Sequence, residues 1–211
     1  MRSQIGLIRH GITEGNVRRL YYGKTDVPLA QKGIDELSRL SEEGVYPDGE
    51  NVNLFTTGLL RTRQTKDILY GDRPYEVIEY LQEINFGEFE MKSYEELLEN
   101  EDYRDWITAE DLEKAPPGGE SINEFNERVI KGYEDLREKH RKMVRGFEAE
   151  GGSDEEEVPL SVVICHGGTI SAIMAHIWPE VHDNMYGWIP DPGHGYVLTL
   201  EGDEPVEYEE F

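Results

Sequence analysis

Residues 5–11 read Ile-Gly-Leu-Ile-Arg-His-Gly, and residues 160–168 read Leu-Ser-Val-Val-Ile-Cys-His-Gly-Gly. Both runs are short and apolar, and both close on histidine followed by glycine. Apolar runs of this length predict buried strands, because a helix needs more residues to bury a face. In open α/β sheets, ligands bind beyond the carboxyl ends of parallel strands. Glycine there lets backbone amides approach an anion, and a helix starting just after it adds partial positive charge. Two such ends on neighbouring strands would bring two imidazoles, His10 and His166, into one pocket. A lone histidine at a strand end is more often structural; the pair, with Arg9 beside the first, points to a site.

Further strands are predicted at 53–57, 75–78, 195–200 and 206–208. Helices fill the gaps. Residues 31–43 place Ile34, Leu37 and Leu40 near one face, and residues 59–69 follow a Thr56-Thr57 pair suited to capping. From Ser121 to about Arg145, Ile122, Phe125, Val129, Tyr133 and Leu136 recur at steps of three and four, and Ser121 with Glu124 forms a capping-box pattern. Residues 169–177 are apolar nearly all round, as in a buried helix. Alternating strands and helices imply an α/β layered fold with a mainly parallel sheet. No internal repeat is visible, so residues 1–211 read as one domain. Residues 146–158, with the run Gly-Gly-Ser-Asp-Glu-Glu-Glu, read as an exposed, mobile acidic loop.

The chain has 211 residues, 37% of them hydrophobic, enough for one well-formed core. With 45 acidic and 21 basic side chains, its formal charge is -24. Such a surface repels nucleic acid and anionic lipid, so neither is expected as a partner. The one cysteine, Cys165, excludes a disulfide scaffold within the chain and suits a reducing compartment. The N-terminal apolar run is too short for a signal or a membrane span. These features together predict a cytoplasmic protein. Oligomeric state is left open.

An acidic protein that binds phosphate must concentrate its few arginines at the anion. Arg9 precedes the first histidine, and Arg61 opens a predicted helix, where a cation opposes the dipole unless an anion is bound nearby. Arg63 reads as a surface residue. Cleavage of a phosphate ester also needs an acid to protonate the leaving oxygen. Glu83 stands out only locally, soon after a predicted strand and among apolar neighbours, where burial would raise its pKa. Glu88 and Glu90 are the next carboxylates to consider. Cys165 and His166 are adjacent on a strand and face opposite ways, so they cannot act as nucleophile and base. Six positions after Cys165 stands Ser171, not the arginine of cysteine phosphatases. His140, His176, His182 and His194 read as structural or surface residues, with His182 and Tyr186 possible at the pocket border. Tyr21 and Tyr22 flank Gly23 and would shape a substrate rim.

Arg-His-Gly-Ile-Thr-Glu-Gly-Asn at 9–16, followed by Gly-Lys-Thr-Asp-Val-Pro-Leu with Gly33 after it, resembles the histidine phosphatase superfamily, the phosphoglycerate-mutase-like clan. Further matches follow in order: Leu-Leu-Arg-Thr-Arg at 59–63, Leu-Gln-Glu-Ile-Asn-Phe-Gly at 81–87, Pro-Pro-Gly-Gly-Glu-Ser at 116–121 and the second histidine strand. The resemblance covers about Ile5 to Leu200. It implies a three-layer α/β/α fold and a histidine acid-type phosphatase acting on a small phosphorylated metabolite. It assigns His10 as nucleophile and Glu83 as proton donor. Arg9, Asn16, Arg61 and a protonated His166 would hold the phosphoryl group, with Gly23 beside the substrate. No metal or other cofactor is implied. Departures occur at Thr57-Gly58, where relatives have Ser-Pro, at Thr62, and at Phe89-Glu90-Met91, where they have Trp-Glu-Gly. The chain lacks room for the larger insertions of cofactor-dependent phosphoglycerate mutases, which favours a phosphatase. A mutase and a non-catalytic phospholigand-binding module remain alternatives.

Overall fold

The structure, a computed structural model, describes residues 1–49, 52–109, 111–153, 158–182 and 184–211, with the side chain of Met185 left aside. The elements in chain order are β1 (Arg2–Arg9), α1 (Glu14–Val17), β2 (Leu20–Tyr21), α2 (Gln31–Glu42), β3 (Asn53–Thr56), α3 (Leu60–Tyr70) and β4 (Tyr75–Val77). They continue with β5 (Lys92–Ser93), α4 (Tyr94–Leu97), α5 (Glu101–Ile107), α6 (Ile122–Ala149), β6 (Leu160–Cys165), α7 (Gly167–Ile177), β7 (Gly195–Glu201) and β8 (Glu204–Glu210).

Six strands form one sheet in the order β4-β3-β6-β1-β7-β8. The first four run parallel, while β7 and β8 are antiparallel additions at one edge. Strand alternation divides the core into two layers. Ile5, Leu7, Phe55, Val163 and Cys165 face Phe125, Val129 and Leu136 of α6 and Ile170, Ile173 and Met174 of α7. Ile8, Leu54, Val162 and Ile164 face the other way, against Leu69 and Tyr70 of α3. Sheet faces covered on both sides explain why β1 and β6 read as continuous apolar runs instead of alternating ones. Truncating a fully buried member such as Leu7 to alanine is expected to cost about 2–5 kcal/mol. Among the described residues, no helix is long and apolar enough to cross a membrane.

Three sequence expectations change in detail. The long helix does not stop near 145 but runs to Ala149, so the first turn of the expected acidic loop is helical. Gly151, at φ +89, ends it: Gly152 N–H bonds Phe147 O and Gly151 N–H bonds Glu148 O, both at 3.0 Å. This left-handed glycine stop is what the Gly-Gly pair encodes. Residues 154–157 of the expected loop lie outside the described residues. Secondly, no threonine caps α3. Its Leu60 N–H donates to Asp26 Oδ1 at 2.6 Å, a partner brought from a distant loop. Thirdly, the β2–β5 ribbon and the short α4 and α5 were not foreseen; their core is Phe89, Leu97 and Tyr103, with Tyr21, Phe86 and Trp106 packed against it. The expected capping box at Ser121 and Glu124 is present.

Candidate active site

Parallel pairing places Arg9 opposite Cys165, so His10 and His166 leave β1 and β6 side by side. Their ring centroids are 5.2 Å apart, edge to face. His10 is 3% exposed, and its Nδ1 lies 2.8 Å from Gly11 O. A carbonyl only accepts, so Nδ1 carries the hydrogen and Nε2 keeps its lone pair. Burial, then the positive charges of Arg61 and Arg9, hold the His10 pKa well below 6.5. The imidazole is therefore neutral, with a free nitrogen.

His166 is fully buried. Arg61 Nε–H donates to its Nδ1 at 3.3 Å, and its Nε2 is 2.9 Å from Thr57 Oγ1. With Nδ1 accepting, Nε2 bears the hydrogen and donates to the threonine. Burial, followed by the charge of Arg61, lowers this pKa as well. The protonated His166 expected from the sequence is thus corrected: among the described residues no carboxylate bonds it, and a guanidinium occupies the nitrogen where a second proton would sit.

Arg61, also fully buried, is seated by two carbonyls. Its Nη2 donates to Gly23 O at 2.7 Å and its Nη1 to Thr25 O at 3.0 Å. Arg9 donates from Nη1 to Pro190 O at 2.7 Å, while its buried Nε has no partner. Neither guanidinium forms an ion pair among the described residues, although the chain carries 45 carboxylates. Arg128, by contrast, is paired with Glu120 at 2.7 Å. Two site cations without counterions among the described residues, one of them wholly out of solvent, leave positive charge that a bound anion would offset.

Glu83 is half-buried, and its carboxylate accepts Gly168 N–H at 2.9 Å and Ile84 N–H at 3.0 Å. These amides replace the purely apolar surroundings expected from its neighbours. A Cβ on Gly168 would lie 2.4 Å from Glu83 Oε1, so glycine is needed for this approach. Arg128 braces the segment by donating to the carbonyls of Tyr80, Gln82 and Glu83 while gripping Glu120. Glu120, of the Gly-Gly-Glu-Ser stretch, also accepts Asn85 N–H at 2.9 Å.

A cleft of about 450 Å³ opens over this cluster, with Arg9, His10, Asn16, Glu83, Gly167 and Gly168 among its lining. Its other walls are largely aromatic and aliphatic, including Tyr21, Tyr22, Phe86, Trp106, Ile107 and Tyr186. Asn16 Oδ1 accepts from the N–H and hydroxyl of Thr13, closing a capping box, and its Nδ2 has no partner among the described residues. Arg61 and His166 lie outside the lining but adjoin the His10 ring. Gly23 does not reach the cleft: its N–H is held by Glu90 and its carbonyl by Arg61. A Cβ there would fall 1.6 Å from Ile84 O, so this glycine serves a close backbone crossing. His182 meets Trp188 edge to face, with ring centroids 4.5 Å apart, and does not line the cleft, whereas Tyr186 does. Cys165 is buried, and burial pushes its thiol pKa up, as a core residue requires.

Sequence reasoning missed Thr57 as the partner of His166, noting it only as a possible cap and as a departure. It also missed Arg128, which nothing but its place eight residues after Glu120 could have flagged. Of the reserve acids, Glu88 is exposed and outside the cleft, and Glu90 is fully engaged by hydrogen-bond donors. Neither is placed to supply a proton. Among the described residues, no group of three or more His, Cys, Asp or Glu side chains is placed to hold a metal ion.

The histidine phosphatase superfamily (branch 1) profile matches residues 5–208, and the chain belongs to that family. An adenosylcobalamin/alpha-ribazole phosphatase of Escherichia coli (strain K12) is 27% identical over 198 residues, covering 90% of this chain and 86% of that protein. A probable phosphoglycerate mutase of Escherichia coli O1:K1 / APEC is 30% identical over 142 residues, covering 64% of this chain and 63% of that one. The crystal structure of a putative alpha-ribazole-5'-P phosphatase from Escherichia coli K-12 MG1655 superposes with a TM-score of 0.76 at 23% identity. It covers 99% of this chain and 94% of that one, and the shared architecture is the phosphoglycerate-mutase-like α/β/α sandwich.

Proposed function

We propose that this chain is a metal-independent phosphomonoester hydrolase that works through a phosphohistidine on His10. The observation that carries this reading is a buried His10 whose Nδ1 is held by Gly11 O, leaving Nε2 free, set beside two arginines that have no carboxylate partner among the described residues. Nε2 attacks phosphorus in line, and the phosphoryl oxygens take the unused N–H groups of Arg9 and Arg61 and the Nδ2 of Asn16. A protonated Glu83 gives its proton to the leaving oxygen as the P–O bond breaks. The resulting carboxylate then takes a proton from the water that cleaves the N–P bond, which releases phosphate and restores both residues. Throughout, Nδ1–H stays on Gly11 O, so the ring bears its transient charge against a fixed acceptor. The cations do the charge neutralisation that a metal performs elsewhere, and the guanidinium on His166 Nδ1 disfavours a metal at that nitrogen.

The substrate reading is a small phosphate ester whose leaving group is planar and carries little charge. The aromatic walls at Tyr21, Phe86 and Trp106 suit such a group, and among the described residues Arg9 is the one lysine or arginine of the lining. A phosphoglycerate would bring a carboxylate with no further cation to meet it, which favours hydrolase over mutase. The relatives named alpha-ribazole phosphatases make an aromatic ribonucleoside phosphate the first substrate to test. The finer, acid-type reading draws support from His10: with its pKa held down, the nucleophile stays unprotonated at mildly acidic pH. The single buried cysteine suits a cytoplasmic setting.

Phosphate release from nitrophenyl phosphate, α-ribazole 5'-phosphate and 3-phosphoglycerate tests the proposal. The aromatic esters should be hydrolysed, and acid quench should trap an acid-labile phosphoenzyme. His10→Ala should keep the fold and lose turnover. Wild-type-like turnover in that variant would sink the covalent mechanism.

A further inference from the structure

Glu90 makes more hydrogen bonds than any carboxylate in the catalytic cleft, yet it touches neither the cleft nor a cation. Its oxygens accept the successive backbone N–H groups of Gly23 (3.0 Å), Lys24 (3.0 Å) and Thr25 (3.1 Å). They also accept the Thr25 hydroxyl at 2.6 Å and Phe86 N–H at 3.0 Å. Three consecutive amides turned onto one anion form a nest, and the peptide groups that donate inward fix the directions of the carbonyls beside them. One of those carbonyls, Gly23 O, lies in the same planar peptide as Lys24 N–H and accepts Arg61 Nη2 at 2.7 Å. The second seat, Thr25 O at 3.0 Å from Nη1, belongs to the residue whose own N–H and hydroxyl Glu90 holds. From that seat Arg61 reaches His166 Nδ1 with its Nε.

We propose that Glu90 is the positioning residue of Arg61: its carboxylate folds residues 23–25 into the loop that aims the guanidinium at the phosphoryl site. A carboxylate is the one side chain that fits. It offers about four acceptor lone pairs and no donor. Glutamine at the same position keeps one acceptor oxygen and turns an NH₂ group toward amides and a hydroxyl that need acceptors. The phosphatase reading of His10 is assumed for the catalytic consequence, but the seating of Arg61 stands on geometry in the free protein.

That geometry has a readout independent of turnover. His10 is faced by Arg61 from α3, Arg9 at the end of β1, His166 between β6 and α7, Tyr22 from the segment after β2 and Glu83 from the segment before β5. Arg61 is the largest charge acting on it. If the guanidinium drifts when its loop loosens, the His10 ring should titrate at higher pH, closer to 6.5. The test is an NMR titration of the histidine rings in wild type, Glu90→Gln, Glu90→Asp and Thr25→Val, with kcat/KM on nitrophenyl phosphate in parallel. Glu90→Gln should raise the His10 midpoint and lower kcat/KM about 100-fold, the scale of an ångström's misplacement. Thr25→Val removes only the hydroxyl contact and should move both in the same direction by less. Glu90→Asp should recover part of the loss. If Glu90→Gln does not fold, Thr25→Val carries the test. An unmoved His10 midpoint with wild-type kcat/KM in the folded variants would overturn the proposal. A shifted midpoint in a protein whose wild type hydrolyses no phosphate ester would retain the Arg61 seating and sink the phosphatase reading instead.

Discussion

His140 lies in α6, 3% exposed, with Nδ1 2.9 Å from Ser161 Oγ and Nε2 2.9 Å from Ser3 Oγ. Two hydroxyls satisfy the ring but bring no charge to offset a proton, and burial lowers its pKa to about 4. Below pH 6.5 the unfolded chain therefore takes up a proton at this residue while the folded chain does not. Each such proton favours unfolding, so stability falls as pH drops from 6.5 and the loss is complete below about 4. The gap between 6.5 and about 4 corresponds to about 3.4 kcal/mol, of which about 2.4 kcal/mol is realised between pH 7 and 4.5. Urea unfolding at those two pH values, for wild type and His140→Gln, measures it. The variant loses some hydrogen bonding and should be less stable at pH 7. Its deficit should shrink by about 2 kcal/mol at pH 4.5, because glutamine takes no proton and the carboxylate titrations cancel in the difference. A deficit equal at both pH values, within about 0.5 kcal/mol, would refute the buried neutral histidine. His10 and His166 have lowered pKa values and pull in the same direction. Acid inactivation is then expected to follow unfolding more than protonation of the nucleophile.

Glu83→Gln should slow alkyl phosphates about 100- to 10,000-fold and nitrophenyl phosphate visibly less, since nitrophenolate leaves without a proton. Burst kinetics separate the two steps, and equal slowing of phosphoenzyme formation for both leaving groups would make Glu83 a positioning group. Exhaustive chelation should leave activity intact; a loss restored by one divalent ion would revive a metal mechanism. Met91 sits at φ +62, 37% exposed, where the family pattern has glycine. Met91→Gly should raise stability by about 1 kcal/mol after the added chain entropy of glycine, and an unchanged or lower Tm would show that the left-handed turn is unstrained.

The sheet and the two histidines were legible because each rests on local chemistry: an apolar run, then His-Gly, repeated. β1 and β6 follow from that pattern, and the buried side of α6 from its spacing. The cap was not legible, since β2 and β5 are two residues each and gain their order from Tyr21, Phe86, Tyr103 and Trp106 meeting across the fold. Protonation was misread for a related reason. Whether His166 carries a charge depends on which atoms face its two nitrogens, and both partners, Thr57 and Arg61, come from about a hundred residues earlier in the chain. Glu90 looked like a spare acid because a sequence displays its charge and hides its five donors.

Leu7 pairs with Val163 on one side and with Tyr196 on the other. During synthesis β1 is therefore made well before either neighbour and keeps both edges open until β6 and β7 follow. Pairings this distant in sequence close slowly, because the loop entropy is lost before the contacts form. An apolar strand with two bare edges is also an invitation to other chains in the meantime. His10 stays without His166 throughout that interval, so the nascent protein holds its proposed nucleophile but no pocket. Phosphate-analogue binding during refolding should consequently appear with the final phase of structure formation and not before it.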